Sequence, residues 1–187
     1  AAIAGIDAGL KAYNRQDYAT ALKELKPLAA QGNAIAQYKL GAMYANGWGV
    51  KQDDMRAVKL CRLAAEYGDA EAQASLGQYY DLGISVPMSY TEAAKWYRLS
   101  ARQGLARAFY GLGLLYRYGR GVQENHVISY VLFDHAAKSD EAGGSAQAAV
   151  QRDIVANSLS DNDLRLVSVL TEALRKGYFF ELVDAEF

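Results

Sequence analysis

The chain has 187 residues with 20 basic and 21 acidic side chains, a formal net charge of −1 that gives no global attraction to nucleic acid or an anionic membrane. Hydrophobic residues make up 51% and charged residues 22%, a globular rather than disordered balance, and no apolar run approaches the ~20 residues that span a bilayer. The single cysteine, Cys61, excludes an internal disulfide framework and a cysteine-based zinc cluster.

In chain order, the first unit covers about residues 1–32 and opens Ala1-Ala2-Ile3-Ala4-Gly5 without methionine. Cloning accounts for such a start, and so does cleavage of a signal peptide after small residues. From here a 36-residue period dominates: Gly32, Gly68 and Gly104 share it, as do Leu40-Gly41, Leu76-Gly77 and Leu112-Gly113. Ala36, Ala72 and Ala108 follow the same step, with Tyr44, Tyr80 and Tyr116, then Gly47, Gly83 and Gly119, then Val50, Val86 and Val122. A recurrence of this kind marks stacked structural repeats, here units of about 33–68, 69–104 and 105–140.

Each unit reads as two helices. In the first, Asn33 to Asn46, the spacing aligns Ala36, Leu40 and Tyr44 at steps of four as a buried stripe. In the second, Asp53 to Tyr67, Ala57, Leu60, Cys61 and Ala64 share one face. Gly47-Trp48-Gly49-Val50 joins the two through glycines suited to left-handed angles, and Ser89 with Glu92 forms a capping box for the next second helix. Gly41, Gly77 and Gly113 sit mid-helix, where glycine costs ~1 kcal/mol relative to alanine. That recurring cost predicts a close approach of the second helix, with Ala57, Ala65, Ala93 and Ala101 as further small residues at helix crossings.

The pattern Ala36-x3-Leu40-Gly41-x2-Tyr44-x2-Gly47-x-Gly49-Val50, followed by Ala57 and Ala64-Ala65-x2-Gly68, resembles the Sel-one-like repeat (SLR) family, over about residues 11–140 and more weakly to about 176. The resemblance implies an all-α fold: a right-handed α/α superhelix, or solenoid, of about five antiparallel helix pairs in one domain over 1–187, whose members act as adaptors between other proteins. Asp17-Tyr18-Ala19-Thr20-Ala21-Leu22-Lys23 looks like the opening unit of exported bacterial members, which implies a periplasmic or secreted protein with its signal removed. Tyr130-Val131-Leu132-Phe133-x2-Ala136-Ala137 looks like their last full unit, and Leu159-Ser160-Asp161 leads into a closing helix to about Lys176 in a fifth unit, about 141–176. Three departures stand out. Ser85 replaces a loop glycine, His126 and Asp54 replace the tyrosines Tyr18 and Tyr90, and residues 139–145 carry about two extra residues.

Enzyme signatures are nearly absent, so no catalytic, metal or cofactor site is expected. His126 and His135 lie nine residues apart on one predicted helix and point to opposite faces. Cys61 takes a core position that Leu25, Tyr97 and Phe133 hold elsewhere. Asp161, Asp163 and Glu172 only faintly match a calcium loop, because Leu166 takes the place of its glycine, and the stretch reads instead as the N-cap and first turn of the closing helix.

Partner binding is expected where units differ. Opposite the repeating stripe, positions 38, 42 and 45 become Tyr38, Ala42 and Ala45, then Ala74, Gln78 and Asp81, then Tyr110, Leu114 and Arg117. The candidate partner-binding residues are therefore Tyr38, Gln78, Asp81, Tyr110, Leu114 and Arg117 on the concave side, with Trp48 and Arg120 from equivalent loop positions. Trp48 reads equally as a cover for an adjacent helix end. From Ala93 to Gln123 there is no acid, whereas the tail, residues 177–187, is acidic and aromatic. The basic region is expected to receive an acidic partner segment, with this tail, from the same molecule or from a neighbour in self-association, as one candidate. The expected function is a protein-interaction scaffold or adaptor for a protein partner. Alternatives are an inhibitor or immunity protein neutralising a toxic enzyme, a cell-wall-related hydrolase, and a peptide- or glycan-binding module.

Overall fold

The computed structural model describes residues 2–139 and 145–186, and the regular structure among them is α-helical throughout. Residues 1–89 form one compact unit and residues 90–187 a second. The first holds α1 (Ala2–Asn14), α2 (Tyr18–Ala30), α3 (Ala34–Asn46), α4 (Asp54–Glu66) and α5 (Ala70–Leu82). The second holds α6 (Tyr90–Ala101), α7 (Ala106–Tyr118), α8 (His126–Ala137), α9 (Ser145–Ala156), α10 (Asp161–Arg175) and α11 (Phe179–Glu186). Most of the expected insertion lies outside the described residues.

Within each unit the helices pack in chain order: α1 on α2, α2 on α3, α3 on α4 and α4 on α5 in the first, α6 on α7, α7 on α8 and α8 on α9 in the second. Contacts of α7 with α9 and of α8 with α10 place first helices beside first helices and second beside second. α3, α4 and the closing helix α10 match the spans read from the sequence to within a residue at each end. α11 is an addition, formed by a segment whose sequence carries no repeat signal.

Short polar residues start these helices. Asn33, Asp53, Asp69 and Asn125 each accept a hydrogen bond from the backbone N–H three residues on, at 2.8–3.0 Å. Each such cap contributes about 1 kcal/mol. Ser160 caps α10 in the same way, with Asp163 returning the bond to the Ser160 backbone. The corner loops then turn through left-handed angles. Gly49 and Gly121 have φ of 68° and 70°, and Ser85, which departs from the repeat, keeps the same geometry at 54°. A Cβ on Gly49 would lie 2.8 Å from the Cβ of Tyr18, and one on Gly121 would lie 2.3 Å from the Tyr90 carbonyl carbon. These loops therefore rest directly on the start of the preceding second helix.

Small residues set the spacing of the hairpins. Ala21, Ala36, Ala57, Ala64 and Ala72 are fully buried. A Cβ on Gly41 would stand 3.2 Å from the Ala57 carbonyl oxygen, and one on Gly113 would stand 2.7 Å from the Phe133 ring. Gly41 and Gly113 are thus explained by the second helix that comes down on them. Replacing Gly113 by valine should lower the unfolding free energy by about 2–3 kcal/mol, since Phe133 is itself fully buried and has no free direction to move. Denaturant unfolding would measure this, and a loss within 0.5 kcal/mol would contradict the tight crossing.

Candidate partner-binding grooves

The expected partner residues occupy several separate places. In the first unit Gln78 is exposed, Asp81 and Tyr38 are half-buried, and Lys39 Nζ lies 5.3 Å from the Tyr38 ring centre. Trp48 is half-buried, stacked on Tyr18 at 5.1 Å and edge-on to Tyr13 at 5.9 Å. In the second unit Tyr110 packs 5.7 Å from Phe133, half-buried Arg117 donates to the Gln151 side chain on α9, and Leu114 is half-buried. Arg120 is exposed and lies 5.4 Å over Tyr90 and 5.1 Å over Tyr118. None of the eight lines either groove described below.

The reason lies in how the first helices are packed. Positions 110 and 117 turn towards α8 and α9, and are partly spent on internal contacts. Of positions 40 and 44, both read from sequence as buried, Leu40 is buried at 5% exposure and Tyr44 only half-buried; both line an open recess, while Met43 between them is fully buried. Trp48 and Arg120 share a role: each covers the aromatic residue that begins the preceding second helix. His126, standing where that tyrosine would be, meets Ser158 of the following loop at 3.0 Å.

In the second unit the acidic tail docks on the basic region of its own molecule. Phe179 and Phe180 are buried edge-to-face at 5.1 Å, with Val183 buried a turn later. Arg98 donates 2.8 Å to the Phe180 carbonyl and pairs with Asp184, while Arg102 pairs with Glu181 at 2.6 Å. Both guanidinium groups also lie over the Phe180 ring, at 5.0 and 5.2 Å. The hydrogen bond from Arg102 holds the Glu181 carboxyl below its ordinary pKa. Burial pushes the Tyr116 phenol up, with Arg98 opposing the shift and Asp184 adding to it. Arg98 and Arg102 were legible as members of an acid-free stretch, and their occupant as an acidic, aromatic tail.

The first unit carries an open recess of about 510 Å³ between α2, α3 and α4. Leu40, Tyr44, Leu60 and Leu63 make its apolar wall, and exposed Lys26, Arg56 and Lys59 make a basic rim, in which Arg56 also pairs with Asp53 at 3.1 Å. Arg56 stands over Tyr44, 5.5 Å from the ring centre. Gln37 lies in the floor, donating Nε2 to the Ala29 carbonyl at 3.2 Å, while its buried Oε1 has no partner. Leaving such an acceptor unpaired costs about 1–3 kcal/mol. Sequence reasoning missed Lys26, Arg56, Lys59, Leu60 and Leu63 as a set, because they come from two helices, α2 and α4, and vary between units.

Catalytic geometry does not assemble around the reactive side chains. Cys61 is buried, with its Sγ 3.2 Å from the Ala72 carbonyl. His126 is held by Ser158 and Glu124, whereas His135 tilts over Phe109 at 4.3 Å, where burial lowers its pKa. Among the described residues no group of three or more His, Cys, Asp or Glu could hold a metal, and no helix is long and apolar enough to cross a membrane.

A family model described as Sel1 repeat matches residues 34–69, 70–105 and 106–140. Among solved structures, c5321, a protective antigen present in uropathogenic Escherichia coli strains and displaying an SLR fold, is 32% identical with a TM-score of 0.76. The match covers 87% of this chain and 34% of c5321, so the chain spans about a third of that protein's length. A Sel1 repeat protein from Oxalobacter formigenes is 35% identical with a TM-score of 0.62, over 71% of this chain and 97% of that one. No curated protein matches the chain. Together with the sequential helix pairs, these likenesses make the fold an α solenoid.

Docking of α11 yields two measurable expectations. Phe179→Ala should cost about 3 kcal/mol of unfolding free energy, because the ring is 1% exposed and leaves a cavity; a loss below 1 kcal/mol would show the tail undocked. A carboxylate whose folded pKa is depressed adds stability that is present above its unfolded value and lost as pH falls through the folded one. The Glu181 contact should therefore persist down to the ordinary Glu value of 4.5 and loosen below it, followed as increasing protease cleavage beyond Lys176.

Proposed function

We propose, from the premise that this chain belongs to the Sel1 repeat family, that it is a protein-interaction module that holds one protein partner through the groove of residues 1–89. Sel1 repeat proteins are generally protein-interaction scaffolds, typically without catalytic activity. One observation carries the reading here: an apolar recess whose rim cations, Lys26, Arg56 and Lys59, stay exposed in the folded unit. A core has no need of Lys26, Arg56 and Lys59 around it, whereas a partner's acidic surface does. Burial of the leucine wall would supply affinity, and the rim would supply orientation and association rate. A standard interface removes ~800 Å² from each partner, so the contact would extend past the recess onto neighbouring helix surface. Export from the cytoplasm, implied by resemblance to exported members, belongs to the same proposal, and fractionation of the native cells should find the chain outside the cytoplasm.

The test compares the full chain with an Arg56→Ala, Lys59→Ala, Leu63→Ala variant as bait in native extract. A specific partner should be retained by the first and weakened at least tenfold with the second, at unchanged helix content by circular dichroism. Truncation of buried anchors at an interface costs about 2 kcal/mol or more, which exceeds tenfold. Equal recovery by both baits would place the interaction elsewhere.

A further inference from the structure

The two grooves are the same place in the repeat, two units apart. The recess that accepts Phe179 and Phe180 is bounded by Ala101, Gly104 and Phe109. Shifted by 72 residues these become Ala29, Gly32 and Gln37, all of which line the open recess of the first unit. Leu112 and Tyr116, along the wall beside Arg98, become Leu40 and Tyr44 beside Lys26. A cation that meets the tail's carboxylate in one groove thus has a lysine counterpart in the other. The first unit loses the equivalent of Arg102 at Ala30 but gains Arg56 and Lys59, where the second has buried Ile128 and Val131. Basic character is kept by different residues.

Resting on the interaction-module reading, we infer that the first groove receives a short amphipathic helix from a partner protein, with an aromatic pair on one turn and carboxylates on that turn and the next. α11 displays this chemistry in Phe179-Phe180-Glu181 and Asp184, and it shows the groove type accepting it. Aromatic rings fill the recess and carboxylates meet the rim cations. The occupant is a foreign helix rather than the tail of a second copy, because Phe179 and Phe180 are already buried in their own molecule. Donating the tail to a neighbour would expose both rings before any contact is gained.

A fluorescently labelled peptide of residues 177–187 is the probe, added to the full chain, whose own α11 stays in place. Saturable binding is expected by fluorescence anisotropy. It should weaken at least tenfold with the Lys26→Glu, Arg56→Glu variant, weaken similarly when both peptide phenylalanines become alanine, and fall with rising salt. Lys26 and Arg56 are exposed, so the variant should fold, and circular dichroism checks this. No saturable binding, binding indifferent to the rim variant, or cross-links from the peptide only to residues 90–187 would overturn the inference. Dimerisation in sedimentation that disappears on deleting residues 177–187 would make a second copy the occupant and would also overturn it. A native partner lost through the Arg56, Lys59, Leu63 variant, together with a peptide that does not bind, would refute this inference alone and leave the module.

Discussion

Everything in this fold depends on how closely one helix can approach the next. At Gly41 and Gly113 the second helix of the pair occupies the space where a side chain would begin. Glycine there gives up ~1 kcal/mol of helix propensity, and the close crossing returns it through burial of neighbours such as Leu112, Met43 and Phe133. The corner loops obey the same constraint, since Gly49 and Gly121 lie against the first residue of the preceding second helix. A hairpin with larger residues at these points would stack at a different spacing, and the repeat would lose its register.

That spacing also makes the grooves. Small residues border each recess, Ala29 and Ala30 in the first unit and Ala101 in the second. The repeated leucine and tyrosine of the first helix contribute to the wall of each groove. In the second unit α11 fills the opening, with two phenylalanines inside and two carboxylates on Arg98 and Arg102. In the first unit the wall faces a rim of Lys26, Arg56 and Lys59. One architecture thus carries an internal ligand and a site for an external one.

The electrostatics are divided in the same way. Most charged pairs, such as Arg56 with Asp53 or Arg175 with Glu172, join residues close together on a helix surface, where they contribute little to stability. The pairs of α11 differ because they link residues about eighty positions apart and flank buried rings. Their value lies in selecting which segment docks and in which direction, with the aromatic burial supplying most of the energy.

The sequence alone determined the repeat: recurring glycines, alanines and leucines at one interval leave few ways to bury an apolar face other than stacked hairpins, so helix order and corner loops were legible. It also pointed to the meeting of an acidic aromatic tail with the acid-free basic stretch, because complementary composition can be seen without coordinates. Only the tertiary structure decided which surfaces remained open. Period and spacing describe one helix at a time, so Tyr44 reads as buried, and Tyr110 and Arg117 as outward-facing. In three dimensions each first helix has neighbours on more than one side. Packing against α8 and α9 engages part of the face that varies, and the gap between second helices exposes part of the face that repeats. A groove assembled from three helices has no period of its own, and so only their packing could reveal it.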